Sequence, residues 1–266
     1  MGKASPIRIE VEEATVFPIE RVLAPTMGLG HAFVGAVRSE DSGIGQRVLG
    51  VLPRGGAVTP RLWCRRDQVV PISAHRNSIE LMGLAVPRLW ARSAVARIRP
   101  GQAVAVKMER CDACFELLRM ARQLGSLVTA FAVDSLVESC YEAGAHSVRL
   151  LEERPTIGEQ EFDHVFDFGG SVSLRRARSI LAEDGQYWTA NRGHINRLRR
   201  LQGKFFLGRR YRLLTPLRTP WADQDFDPEP SRELMTPYRI YTVAEAAEVL
   251  RDLGGIPPWR MVVQLA

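Results

Sequence analysis

The sequence predicts an α/β protein in two parts, and three observations carry that reading. Residues 7–75 are mainly β in character. From 103 to 190, strand candidates alternate with helical patterns, which argues for a parallel sheet. After an irregular stretch at 219–237, a capped helix and a last strand close the chain.

The elements follow in order. Ile7-Arg-Ile-Glu-Val11 alternates, as a half-buried strand does. Val48–Leu52 and Gln68–Ile72 are further strand candidates, with Gly43, Gly45, Gly50, Gly55 and Gly56 as turns. Residues 76–100 form a partly helical connection, broken by Pro100-Gly101. Ala103-Val-Ala-Val106 reads as a short buried strand. Leu117, Leu118, Ala121 and Leu124 then share one helical face, and Gly125 suits the C-terminal stop. Leu127–Val133 is a second strand, Val148–Leu151 a third, and Asp163–Phe168 a fourth, ended by Gly169-Gly170. A helix over Leu174–Leu181, a turn at Gly185 and a fifth strand at Tyr187–Ala190 follow. Thr242-Val-Ala-Glu245 is a capping box that opens a helix to about Leu253, and Arg260–Leu265 is the last strand. There is no internal repeat.

A chain of 266 residues fits one large or two modest domains. With 45% hydrophobic and 25% charged residues, its composition is that of a soluble globular protein. No apolar run reaches the roughly 18–20 residues that span a bilayer, and Met1–Pro6 lacks the apolar core of a signal peptide. The expectation is a cytoplasmic protein without a membrane partner. The net charge is +6, and only Lys3, Lys107 and Lys204 among the basic residues are lysines. That arginine skew reports a GC-rich bacterial genome rather than a function. Cys64, Cys111, Cys114 and Cys140 are too few and scattered for a disulfide scaffold.

The most telling segment is Ala103–Val133, the first βαβ unit of a dinucleotide-binding pattern. Such a unit carries a glycine-rich turn that lets backbone approach a pyrophosphate. Here the turn is Met108-Glu-Arg-Cys-Asp-Ala-Cys114, with two carboxylates and no glycine. Side chains fill the room that glycines would leave at the helix N-terminus. Glu109 and Asp112 also set negative charge where a pyrophosphate would lie. One like-charge pair near 4 Å costs about 4 kcal/mol at an effective dielectric of 20. The expectation is no cofactor, with NAD or NADP as the alternative. If a nucleotide binds, Lys107, Arg110 and Gly169 are candidates to hold it, and Asp134 is placed to hold the ribose of NAD.

Cys111-Asp-Ala-Cys114 is a CxxC at a helix start, where a thiolate is stabilised, so it reads as a redox pair or half a metal site. The plainer reading is two small residues filling space, with Cys114 buried on the apolar face. Between Arg175 and Arg218 lie twelve basic residues opposed only by Glu183 and Asp184. That field suits an anionic substrate or carrier protein, or is a solvated face. No nucleic-acid motif accompanies it, so nucleic acid is not an expected partner. Asp223, Asp225 and Asp227 alternate like a calcium loop but lack its glycine and distal glutamate, so they read as a solvated loop.

Several segments, in order, resemble the medium-chain dehydrogenase/reductase superfamily, close to its zinc-free quinone oxidoreductase and alcohol dehydrogenase-like branches. Gly30-His-Ala-Phe-Val-Gly35 is similar to the family's Gly-His-Glu segment, and Gly45-Gln-Arg-Val-Leu-Gly50 to its Val-Gly-Asp-Arg-Val turn. Arg99-Pro-Gly-Gln102 resembles the lead into its nucleotide domain, and Ala143-Gly-Ala-His-Ser-Val148 its Leu-Gly-Ala-Asp-His-Val. Asp163–Gly170, Ala182–Ala190 and Tyr241–Leu265 resemble its fourth strand, fifth strand and returning tail. The resemblance covers about residues 7–265 and marks a degenerate member.

The resemblance implies a shortened GroES-like catalytic domain from 1–98 and 238–266. It implies a Rossmann-like domain from 99–218 and an acidic, proline-rich loop at 219–237. It also implies an active site in an interdomain cleft, carbonyl or enone chemistry with NAD(P), and a homodimer paired through a last strand such as Lys204–Arg212. His31 matches the family's zinc-ligand histidine, but the cysteine position near Phe17 is apolar and the glutamate position is Ala32. No metal site is therefore expected. His31 reads as a cleft acid or base, or as a structural histidine.

The sequence favours an enzyme of bacterial small-molecule, natural-product biosynthesis that keeps a carbonyl or enone cleft without hydride chemistry. It would run an elimination, cyclisation or isomerisation with His31, Glu109, Cys111 and Asp112 as candidate catalytic residues. One alternative is an NAD(P)H-dependent reductase with an unusual loop. The other is a non-catalytic binding protein using its arginine-rich face.

Overall fold

The structure, a computed structural model, describes residues 6–17, 28–39, 43–52, 54–108, 112–151, 161–191, 210–215, 238–252 and 260–265. It divides into two compact units, residues 1–86 with 217–266, and residues 87–216. Glu109, Arg110, Cys111, residues 192–209 and the acidic loop at 219–237 lie outside the described residues. No described helix is long and apolar enough to cross a membrane.

The first unit is built on one long strand, β1 (Pro6–Val16). One edge of β1 pairs antiparallel with β2 (Ala32–Ser39). The other edge is shared, with β4 (Arg61–Arg65) along Pro6–Glu10 and β13 (Arg260–Gln264) along Glu13–Val16. β3 (Gly43–Val51) and β5 (Val69–Pro71) extend the sheet beyond β2, and β12 (Tyr238–Thr242) pairs parallel with β13. Ile9, Val11, Phe33, Val48 and Leu62 form its core. Gly35 and Gly50 are required by close approach. A Cβ at Gly35 would run into the Glu10 carbonyl, and one at Gly50 into the Phe33 ring. The capping box forms as read from the sequence. The Glu245 carboxylate accepts from the Thr242 backbone at 2.7 Å, and Glu245 N–H donates back to Thr242 Oγ1 at 3.3 Å. It opens the helix Val243–Asp252.

The second unit is a six-stranded parallel sheet. Its strands are β6 (Ala103–Lys107), β7 (Leu127–Ala132), β8 (Ser147–Leu150), β9 (Phe162–Phe166), β10 (Leu181–Thr189) and β11 (Tyr211–Leu213). Their order across the sheet is β8-β7-β6-β9-β10-β11, all paired parallel. This is the doubly wound dinucleotide order, with its switch point between β6 and β9. Helix α1 (Ser78–Val95) runs across the division between the units and contains Pro87, which has no N–H to give to the helix ladder. Helices α2 (Asp112–Gln123), α3 (Val137–Glu142) and α4 (Leu174–Ile180) belong to the sheet crossovers, and the helix at 243–252 is α5. Gly125 ends α2 with φ of +84°.

The elements differ from the sequence reading in a few places. β2, β4 and β12 are strands that the pattern does not announce, because Gly35 interrupts the first, the outward-facing Trp63 hides the alternation of the second, and the third is exposed along most of its length. The fifth strand begins at Leu181, directly after α4, rather than at Tyr187. Gly185 lies inside it at a register irregularity between Leu181 and Gln186, where Phe162 backbone approaches too closely for a side chain.

His164 on β9 is buried among aromatic rings. Trp188 Nε1 donates to its Nδ1 at 3.1 Å, and its Nε2 lies 3.2 Å from Gln102 Oε1. An indole can only donate, so Nδ1 must be the acceptor and the neutral Nε2–H form completes both bonds. Burial pushes the His164 pKa below the ordinary 6.5, against a smaller opposing pull from Asp163. The unfolded chain takes up that proton more readily, so stability present above pH 6.5 is lost as pH falls through the lower folded value. Thermal melts should show the wild type losing stability below about pH 6.5 relative to His164→Gln. Gly35→Ala should cost roughly 1–3 kcal/mol by forcing β1 and β2 apart, measured by denaturant unfolding.

Candidate functional site

The switch point of the parallel sheet gathers the polar groups. Val104, Ala105 and Val106 are fully buried, so β6 runs through the centre of the sheet and delivers Lys107 at its carboxyl end. Its neighbour β9 ends at Phe166 and delivers Asp167 beside it, which is 0% exposed. Lys107 Nζ lies 4.0 Å from Asp167 Oδ1.

Asp167 organises the turn after β9. Its Oδ1 accepts from Gly170 N–H at 2.9 Å, and its Oδ2 from Ser171 N–H at 2.8 Å and Val172 N–H at 2.7 Å. The Tyr187 hydroxyl of β10 donates to Oδ2 at 2.7 Å. Gly170 has φ of +67°, which lets the chain fold back so that successive amides face one carboxylate. Asn191 Nδ2 donates to the Gly169 carbonyl at 2.8 Å, tying the end of β10 to the same turn. A buried carboxylate is tolerated here because amides, a phenol and an ammonium surround it.

Of the residues expected at the site, Lys107 and Gly169 are brought together around Asp167. Asp112 opens α2 and is half-buried. Asp134 is exposed and starts a 3-10 turn beyond β7 rather than ending the strand. Glu109, Arg110 and Cys111 are outside the described residues. Cys114 is fully buried, with its Sγ 3.6 Å from the Lys107 carbonyl. His31 lies in the first unit, 1% exposed, between the edges of β1 and β3. Its N–H donates to the Thr15 carbonyl at 3.3 Å, and its own carbonyl accepts from Leu52 N–H at 2.7 Å. Among the described residues no group of three His, Cys, Asp or Glu side chains could hold a metal ion.

Asp167 and Tyr187 are the residues that sequence reading missed. An acid at the end of a buried strand, just before Gly169-Gly170, was the available signal. The partnership with Tyr187 depends on strand order and is invisible in one sequence.

Asp112 places a carboxylate in the first turn of α2, where a bound diphosphate would use the helix amides. Lys107, the cation ending β6, faces Asp167 instead.

Replacing Asp167 by Ala removes the carboxylate that the amides, the Tyr187 hydroxyl and the ammonium share. It should cost roughly 3–5 kcal/mol in denaturant unfolding. Tyr187→Phe should cost about 1–3 kcal/mol.

No family model matches the chain, and no curated protein matches it by sequence. Solved structures do match over nearly the whole length. The quinone oxidoreductase from Thermus thermophilus, solved alone and with NADPH, is 19% identical with a TM-score of 0.63, covering 99% of this chain and 94% of that one. The CurK enoyl reductase is 14% identical with a TM-score of 0.64, covering 98% and 91%. A cobalt- and zinc-bound alcohol dehydrogenase from Pyrobaculum aerophilum is 20% identical with a TM-score of 0.61, covering 97% and 91%. The β unit is GroES-like and the parallel-sheet unit is of Rossmann type, so the chain has the fold of the medium-chain dehydrogenase/reductase superfamily.

Proposed function

We propose that this protein is a medium-chain dehydrogenase/reductase-type enzyme of bacterial natural-product metabolism that converts a carbonyl or enone substrate without transferring hydride. The observation that supports this is the acidic, glycine-free sequence Met108–Cys114, which follows β6 of a doubly wound sheet. The fold shared with the CurK enoyl reductase supports the enone class. A redox-neutral isomerisation removes a proton from one carbon and returns one to another, so it needs a base and an acid. Glu109, Asp112, Cys111 and His31 are residue types that can serve. The same reading carries a homodimer and a substrate that is anionic or borne on a carrier, supported by the basic stretch at 175–218.

A second reading is an NAD(P)H-dependent reductase with a rebuilt loop. The fold shared with the Thermus thermophilus enzyme, solved with NADPH, favours it.

Titrating the purified protein with NADH and NADPH, by nucleotide fluorescence and heat, separates the two. The redox-neutral reading expects no binding at millimolar nucleotide and a product that forms without nicotinamide. Micromolar binding, or strict dependence on NAD(P)H, overturns it in favour of the reductase.

A further inference from the structure

The strands at the margins of the two sheets differ in how they are protected. The first sheet ends at β5 and β12, with β4 on a side edge, and the second ends at β8 and β11. β5 and β11 are three residues long, and β5 closes on Pro71. β4 sets Arg61 and Arg65 outward, and β8 is half-buried throughout and carries Arg149. Short length, proline and charge are devices that keep an edge from pairing with another chain. β12 is built differently. It runs for five residues, Tyr238-Arg-Ile-Tyr-Thr242, with no proline and no acid, and all but Tyr241 are exposed.

Tyr241 assigns its faces, because it packs against the core of Val16, Met261 and Val263. Arg239 shares that inner face, and Tyr238, Ile240 and Thr242 take the other. Among the described residues seven large hydrophobic side chains are exposed, and three of them, Tyr238, Ile240 and Val243, gather at this strand and the start of α5. An apolar group collected on an edge strand marks a contact surface.

The strand's own sequence says what fits it. A second copy laid antiparallel, about a two-fold axis normal to the sheet, keeps like faces together, so opposed residues must share a face. Full overlap then sets Ile240 opposite Ile240 of the second copy, Arg239 opposite Tyr241, and Tyr238 opposite Thr242. A β-branched pair lies on the axis, aromatic pairs flank it, and no like charges oppose each other. The same operation on β4 would set Arg61 opposite Arg65.

We propose that β12 is a self-pairing edge, through which two copies of this chain join their β sheets antiparallel about Ile240. The inference rests on the proposed function only for its homodimer and is indifferent to the redox-neutral chemistry. A five-residue strand is about 17 Å long. Such a contact is small beside the roughly 1,200–2,000 Å² of a standard interface, so the pairing is reversible and concentration-dependent.

Sedimentation equilibrium of the whole chain, in a dilution series reaching roughly 1 mM, tests it. The wild type should pass from monomer to dimer as concentration rises. Ile240→Lys sets two ammonium groups against each other on the axis and should weaken association about tenfold or more. Ile240→Cys should form a disulfide-linked dimer on mild oxidation, since opposed residues of antiparallel strands have Cα atoms about 4.5–5.5 Å apart, within disulfide reach. Val243→Cys is comparably exposed but lies three residues off the axis, roughly 20 Å from its copy, and should not cross-link above the wild-type background. Both positions are exposed, so the core is untouched. A monomer throughout the series overturns the assignment. So does an association that Ile240→Lys leaves unchanged, or an Ile240→Cys variant that cross-links no faster than Val243→Cys. A dimer indifferent to Ile240→Lys keeps the homodimer and overturns only β12 as its surface. None of these readouts involves nucleotide or turnover, so failure of the redox-neutral reading is seen separately.

Discussion

The parallel-sheet unit depends on the burial of one carboxylate. Asp167 sits where two crossovers part, and a charge taken from water there must be matched by donors on every side. The donors come from three separate pieces of chain: the turn at Gly170–Val172, the hydroxyl of Tyr187 on β10, and the Lys107 ammonium at the end of β6. Their agreement fixes the splay of three neighbouring strands at their carboxyl ends. It also sets the direction in which the chain enters α4, and hence where Arg176 stands. The polar character of this end of the sheet is thus a consequence of packing one acid, with the cation beside it already committed in orientation.

His164 shows the complementary solution to burying a titratable group. Asp167 is surrounded by donors, whereas His164 is flanked by one donor, Trp188, and one acceptor, Gln102. The neutral imidazole fits that pair and the charged one does not. The two residues lie three positions apart on and just beyond the same strand, one suited to charge and the other to neutrality. The difference lies in which groups the neighbouring strands present.

Much of the fold was legible because the apolar patterns are strong where burial is strongest. The buried run Val104–Val106, the helical face of Leu117, Leu118 and Ala121, and the capping box at Thr242–Glu245 all appear as their local sequence says. What was not legible depends on partners distant in sequence. β12 has exposed residues on both faces and is a strand because β13 pairs with it. Gly185 looks like a turn residue and is a bulge, because Phe162 passes close by. The candidate site divides in the same way. A cation at the end of β6 and the glycines after β9 could be picked out singly. Asp167 and Tyr187 acquire their roles from strand order, which one sequence does not display.

The shared edge of β1 has a consequence for how the chain is made. β4, at residues 61–65, and β13, at residues 260–264, divide that edge between them. A ribosome emits β1 first and β13 only after the whole of the parallel-sheet unit. During synthesis the lower half of β1 is covered early while the upper half, Glu13–Val16, waits as an unpaired edge. The parallel-sheet unit comes from one continuous stretch and can assemble in that interval. Closing the β unit then requires contacts across almost the full length of the chain, a slow search of high contact order. The nascent protein thus carries an exposed strand edge as its aggregation hazard until its last strand arrives.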